Sequence, residues 1–109
     1  MNIYDPRALA AAAVAQPNRA ATALVHDAAD VRIVLFRIEP GQQVPVHTSP
    51  STVLLSVIAG TGFVTGVEGE RTVQPGDIVA YDAHEPHGMR AEHEQLVIAA
   101  VIAPRPGTH

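Results

Sequence analysis

The chain contains no cysteine, no tryptophan and few charged residues. The missing cysteine excludes disulfides, zinc–thiolate sites, iron–sulfur clusters and thiol nucleophiles, and it is consistent with a cytoplasmic location. Lys and Arg total 7, the net charge is −4, and no basic run is present. Nucleic acid is therefore not expected as a partner, because its phosphates require clustered cations. No apolar run is long enough to cross a bilayer, so we expect no membrane partner.

Aliphatic residues, in contrast, are plentiful. Hydrophobic residues make up 47% of the 109 residues, which favours one packed domain. Asp5 and Pro6 suit the start of a helix, and the alanine-rich run after them should remain helical to about Gln16. The sequence thus predicts an N-terminal helix or arm at 1–18 and a barrel domain at 19–109. Such a short helix needs a packing surface, either on the barrel or on a partner.

Beyond residue 19, short apolar runs alternate with turn residues. Candidate strands lie at 21–26, 31–39, 43–47, 52–59, 62–67, 71–73, 78–81, 85–91 and 96–103. Many short strands with regular turn signals predict an all-β barrel or sandwich. Proline followed by glycine at 75–76 predicts a type II turn between two of these strands.

Two stretches carry histidines at characteristic spacings. In the first, Gly41 is followed after five residues by His47, with Gly60 further on. In the second, Gly76 precedes His87. Both stretches resemble the two sequence motifs of the cupin family. That resemblance implies an all-β, jelly-roll-like antiparallel barrel, the double-stranded β-helix, with the short helix outside it.

Four positions depart from the family motifs. Ser49 stands where the first motif has its second histidine, and Val53 stands where it has glutamate. Asp82 and His84 replace a proline and a glycine of the second motif. The resemblance therefore implies four metal ligands, of which this chain keeps two.

One divalent ion (Fe, Mn, Ni or Zn) is the cofactor that the resemblance implies. His47 and His87 supply two nitrogens, whereas such an ion normally needs at least three protein ligands. His84 or Glu85 could supply the third. The alternative is that His47 and His87 are hydrogen-bonded polar residues in a metal-free mouth of the barrel.

Strand alternation predicts which side chains face the cavity. With His47 inward, Ser49, Val53, Leu55 and Val57 also point inward, and Leu54 and Ile58 point outward. With His87 inward, Glu85 and Met89 point inward as well. His47 and His87 should then meet, with their ring nitrogens roughly 3–5 Å apart if one ion or water bridges them.

Three functions remain open at this point, and the sequence does not decide whether the protein is an enzyme. The first is a protein that binds or senses a small molecule, with a weak metal site at His47, His87 and His84 and ligand contacts from Ser49, Tyr81 and Glu85. The second is a metal-dependent enzyme, dioxygenase- or isomerase-like. The third is a non-catalytic dimeric module. Outward apolar residues at Leu54, Ile58 and 96–103 predict a homodimer.

Overall fold

The computed structural model describes residues 1–106, which form one helix and nine strands. Residues 107–109, at the end of the predicted barrel domain, lie outside the described residues. The elements are α1 (Pro6–Ala12), β1 (Ala21–Asp27), β2 (Arg32–Ile38), β3 (Gln43–His47), β4 (Thr52–Ala59), β5 (Gly62–Gly66), β6 (Gly69–Val73), β7 (Ile78–Tyr81), β8 (His87–Arg90) and β9 (Leu96–Ala103).

The strands form two antiparallel sheets that face each other. The five-stranded sheet has the order β1-β2-β9-β4-β7, and the four-stranded sheet has the order β3-β8-β5-β6. Each of the nine predicted strands occurs, with ends that differ by up to two residues. The predicted all-β double-stranded β-helix with an N-terminal helix is confirmed. The division of the chain at residue 18 stays a prediction.

Strand β4 follows the predicted alternation. Val53, Leu55 and Val57 are buried in the core between the sheets, whereas Leu54 is exposed on the outer face. One face of the strand is thus buried in the interior. A register shift of one residue would move these buried side chains to the outer face. This register is what aims the residues of the first motif at the cavity.

Helix α1 begins as predicted but is shorter than predicted. The Asp5 carboxylate accepts hydrogen bonds from the backbone N–H groups of Arg7 and Ala8, which is the expected N-cap. The helix ends at Ala12 and not near Gln16. The Arg37 guanidinium donates to the carbonyls of Ala10 (2.6 Å) and Ala13 (3.1 Å), so a side chain from β2 takes up the last carbonyls and ends the helix early.

The helix packs on the outer face of the five-stranded sheet. Ala10 is buried against Leu35 and Val97, and Ile58 packs at the edge of the same cluster. Part of the apolar face from which we predicted a homodimer is therefore covered by the chain's own helix. Leu54 and Ile78, on the same face, remain exposed.

The turn between β6 and β7 forms as predicted. Asp77 N–H donates to the Gln74 carbonyl at 3.1 Å, and Gly76 has φ 95°, which requires glycine in a type II turn. Within residues 1–106, no helix has the length and apolar character needed to span a membrane.

Candidate functional site

His47 and His87 meet at one rim of the barrel. His47 ends β3, His87 begins β8, and the two residues are direct cross-strand partners. Their ring centroids lie 4.2 Å apart with an interplanar angle of 64°, an edge-to-face arrangement. The prediction that these two side chains meet, although far apart in sequence, is confirmed. His87 is buried and His47 is exposed at the rim.

Backbone carbonyls fix the orientation of both rings. His47 Nδ1 lies 2.9 Å from the Pro45 carbonyl, and His87 Nδ1 lies 3.0 Å from the Glu85 carbonyl. Because a carbonyl oxygen only accepts, Nδ1 carries the hydrogen in each ring. In the neutral imidazole, Nε2 then keeps its lone pair. Within residues 1–106 neither Nε2 has a hydrogen-bond partner, so two acceptors are available at the rim.

A cavity of about 230 Å³ lies behind the two rings, between the sheets. Most of its wall is apolar, and its polar side chains are the two histidines and Ser49. The lining residues are Phe36, Val44, His47, Ser49, Val53, Leu55, His87, Met89, Ala100, Ile102 and Pro106. The cavity therefore combines a mainly apolar wall with three polar side chains.

All four positions that correspond to the family's metal ligands line this cavity: His47, Ser49, Val53 and His87. Two of the four side chains are poor metal ligands here. Val53 has no donor atom, and the Ser49 hydroxyl accepts from Ser51 N–H at 3.3 Å. Among the described residues, 1–106, no three His, Asp or Glu side chains are grouped to hold a metal ion. The donor set does not fit a divalent ion held by the protein alone.

His84 and Glu85 do not line this cavity. His84 is exposed in the turn before β8, with φ 69°, and its N–H donates to the Ser49 carbonyl at 2.7 Å. The positive φ gives a physical reason for the glycine of the family motif at this position. Glu85 precedes β8 and lies beside Tyr81 and Gly66, and its predicted inward orientation and ligand role stay predictions. Its carboxylate accepts from Asp82 N–H at 3.1 Å.

Tyr81 supports the site from behind. Its ring centroid is 5.2 Å from that of His87, and its hydroxyl donates to the Thr65 carbonyl at 2.8 Å. The side chain is buried, and burial, followed by the nearby Glu85 charge, raises the pKa of Tyr81 above its ordinary value. The hydroxyl is thus engaged with the backbone while the ring packs beside His87, and the predicted ligand contact of Tyr81 stays a prediction.

The sequence profile of the cupin domain matches residues 34–102, more than half of the chain. The chain belongs to the cupin family. A protein of Thermus thermophilus is similar over 97% of this chain and all of its own length, with 30% identity and a TM-score of 0.88. A comparison with curated protein sequences finds no match.

More distant structures share the fold of this cupin. A Klebsiella pneumoniae protein with a double-stranded β-helix domain has 20% identity and a TM-score of 0.86, over 97% of this chain and 92% of its own. The DMSP lyase DddQ of Ruegeria pomeroyi has 17% identity and a TM-score of 0.74, over 84% of this chain and 50% of its own. At these identities the likeness concerns the fold alone.

Sequence reasoning missed several wall residues of the cupin's cavity. Ala100 and Ile102 on β9 could have been found, because they follow the same alternation that identifies the inward side of β4. Pro106 carried no comparable signal. It lies beyond the last strand, in a Pro/Gly-rich tail that the sequence predicts to be extended or loose, yet it forms part of the wall.

Proposed function

We propose that this cupin binds or senses a small molecule that has an apolar body and a hydrogen-bond donor at one end. The paired Nε2 atoms of His47 and His87, at the rim of an apolar cavity, carry this proposal. An accepting nitrogen that loses water without gaining a donor costs free energy, so a ligand that enters the cavity should bring a donor.

The cavity volume limits the size of the ligand. At about 230 Å³ it is smaller than the ~300–1,000 Å³ typical of sites for drug-sized ligands. Phe36, Leu55 and Met89 offer contacts to a single ring or a short branched chain. A hydroxyl or an N–H group on that body would lie near the two imidazoles. This composition supports a phenol- or alcohol-like ligand over a polyanion or a sugar.

A matched pair of probes tests the donor requirement. Binding of 4-methylphenol and of toluene, which differ by one hydroxyl, is measured by ligand-observed NMR titration. We expect 4-methylphenol to bind about three- to tenfold more tightly, as one added hydrogen bond would give. Equal affinity of the two probes, or binding of neither, would contradict the proposal.

Three variants distinguish the contribution of the histidine nitrogens to binding from that of the cavity volume. His47→Phe and His87→Phe keep an aromatic ring but remove the accepting nitrogen, so both should reduce the preference for 4-methylphenol over toluene. Ala100→Leu fills the cavity from β9 and should weaken both probes, because it occupies their volume. A preference that survives both phenylalanine variants would place the donor contact elsewhere.

A metal-dependent enzyme is the second candidate, because a carbonyl bonded to Nδ1 is how proteins commonly orient a histidine metal ligand. A divalent ion held by His47 and His87 would need further donors from a chelating substrate or from water. Metal analysis of the protein purified without added metal, beside a manganese titration of the wild type and His47→Ala, tests this candidate. Stoichiometric metal that His47→Ala loses would favour the enzyme.

The homodimer and the cytoplasmic location stay predictions. Outside the area under α1, the outer face keeps a row of neighbouring apolar side chains across three strands, Ile33, Val101 and Leu54, with exposed Ile78 beside it. A second copy of this chain is the partner we predict for that row. Light scattering at micromolar concentration should give a dimer for the wild type and a monomer for Leu54→Glu. A monomeric wild type would contradict it.

A further inference from the structure

The first residues after β9 reach the cavity of the two histidines. Strand β9 ends at Ala103, which pairs with Thr52 at the start of β4. Three residues later Pro106 forms part of the cavity wall, together with His47 and His87. The tail therefore reaches the same rim of the barrel as the two histidines.

Within residues 1–106, two attachments of different character contribute to holding residues 104–106 in this position. The hydroxyl of Ser51, which is buried, donates to the Pro104 carbonyl at 2.7 Å. Arg105 forms a two-point ion pair with the Asp27 carboxylate, at 2.6 and 2.9 Å, on the partly exposed rim. The Ser51 hydroxyl is buried and its bond is partly shielded from water, whereas the Arg105 ion pair is more open to water, which weakens it.

The Asp27 carboxylate is held in its charged form by two arginines. Arg32 also contacts its carboxylate, at 3.3 and 3.4 Å. Hydrogen bonds from Arg105 and Arg32 hold the pKa of the Asp27 carboxyl well below its usual range. The carboxylate is charged at any ordinary pH, so the attachment of Arg105 does not depend on protonation of Asp27.

We propose that residues 104–106 form a gate over the cavity, with Pro104 as its fixed base, the Asp27–Arg105 ion pair as its releasable latch and Pro106 as the part that closes the wall. This inference rests on the proposed function only in taking the cavity as the binding site. The unequal attachments carry the argument: the buried bond at Ser51 keeps the base in place, and the exposed latch opens without disturbing the sheets.

A closed gate has a direct consequence for a bound ligand. With Pro106 in the wall, a hydrogen bond between the ligand and a histidine is shielded from water, which strengthens that bond. Release then requires the latch to open first. The gate therefore determines how fast a ligand enters and leaves.

Methionine oxidation tests the gate without any ligand. Met89 lines the cavity and is 7% exposed, while Met1 is fully exposed, and the chain has no other methionine. Dilute hydrogen peroxide converts an accessible methionine to its sulfoxide, and mass spectrometry follows both sites in one sample. In the wild type we expect Met89 to react much more slowly than Met1. Arg105→Ala should increase the rate of Met89 oxidation by roughly two- to fivefold, the effect of removing an exposed ion pair.

Matched variants make the result decisive. Pro106→Ala removes the wall and leaves the latch, so it should also accelerate Met89. Arg105→Lys keeps a cation and should restore much of the protection. Arg19→Ala removes an exposed arginine before β1, at the other end of that strand from Asp27, and should change nothing.

Two outcomes would overturn the gate: Met89 oxidised as fast as Met1 in the wild type, or Met89 rates unchanged in both Arg105→Ala and Pro106→Ala. Failure of the proposed function looks different. If 4-methylphenol shows no preference over toluene while Arg105→Ala accelerates Met89, the ligand class is wrong and the gate stands.

Discussion

Within residues 1–106, two openings between the sheets differ in their chemistry. One is the cavity behind His47 and His87, about 230 Å³ and mostly apolar. The other is a groove between β6 and β7, the edge strands of the two sheets, where charged side chains such as Glu68, Arg71 and Glu85 form the wall. One part of this seam groove has a volume of about 410 Å³, which exceeds that of the cavity.

By volume alone the seam groove would be the candidate site, whereas our proposal uses the cavity because of the accepting nitrogens of its two histidines. The cavity is lined by the two histidines and by apolar side chains, so the proposed ligand would gain both a hydrogen bond and burial. In the seam groove, charged side chains of both signs stand beside open solvent, where each interaction is weak. Tyr81 is the partition: its ring contacts His87, and it also lines the seam groove beside Glu85.

The largest effect should come from restoring the missing family ligands. Ser49 and Val53 both line the cavity, so Ser49→His with Val53→Glu places three imidazoles and one carboxylate around one point. Without metal, the carboxylate is buried at a position only 4% exposed, and the free energy of unfolding should fall by about 3 kcal/mol or more. Added manganese or iron should recover stability by binding the folded state. Melting temperature in chelator and in excess metal measures both effects.

A second double variant is the control for this change. Ser49→His with Val53→Gln has a similar volume without the charge, so it should gain less from metal. Equal metal affinity in the wild type and the Ser49→His, Val53→Glu variant would refute the prediction. It would mean that ligand count does not limit the wild-type cavity, and a tight shared affinity would favour the enzyme.

The sequence predicted the fold well because strand alternation and turn residues act locally. On β4 the alternation alone places Val53, Leu55 and Val57 inward. The end of α1 could not be predicted in the same way, because it depends on Arg37, a residue distant in sequence whose guanidinium takes the helix carbonyls. Local patterns determine where an element begins, and tertiary contacts decide where this one ends.

For the site, the sequence identified the histidines and grouped too many residues with them. Spacing brought His47 and His87 together correctly, because both lie on paired strands. Glu85 was placed by extending the alternation of β8 into the turn before it; it does not line the cavity of the two histidines, and its ligand role stays a prediction. Pro106 was missed because its position depends on an ion pair between Arg105 and Asp27, far apart in sequence.

A smaller effect should follow from substituting Tyr81, which lies between the two openings. Tyr81→Phe keeps the ring beside His87 but leaves the Thr65 carbonyl without its donor, so the free energy of unfolding should fall by about 1 kcal/mol. Affinity for 4-methylphenol should stay unchanged, since Tyr81 does not line the cavity and its hydroxyl is bonded to the Thr65 carbonyl. A clear loss of affinity would mean that the Tyr81 hydroxyl contacts the ligand. Urea unfolding and NMR titration measure the two quantities.

The pH dependence of stability should also differ between Tyr81→Phe and the wild type. Because burial raises the pKa of Tyr81 in the folded protein, the unfolded chain loses its phenolic proton first as pH rises. The stability of the wild type is therefore retained below pH ~10 and falls as pH rises through the folded pKa. Tyr81→Phe lacks this contribution and should lose less stability between pH 9 and pH 11, roughly the range around an ordinary tyrosine. Equal slopes would contradict the raised pKa.

The smallest effect should come from the seam groove itself. Glu85→Gln keeps an oxygen that can accept from Asp82 N–H and removes the charge, so the turn before β8 should remain intact. The loss of that charge should lower the pKa of Tyr81 slightly, which tyrosinate absorbance detects. Affinities for 4-methylphenol and for manganese should equal those of the wild type, whereas the matched His87→Gln should weaken 4-methylphenol. Weaker manganese binding in Glu85→Gln would show that this carboxylate turns toward the histidines, and the two openings would then form one site.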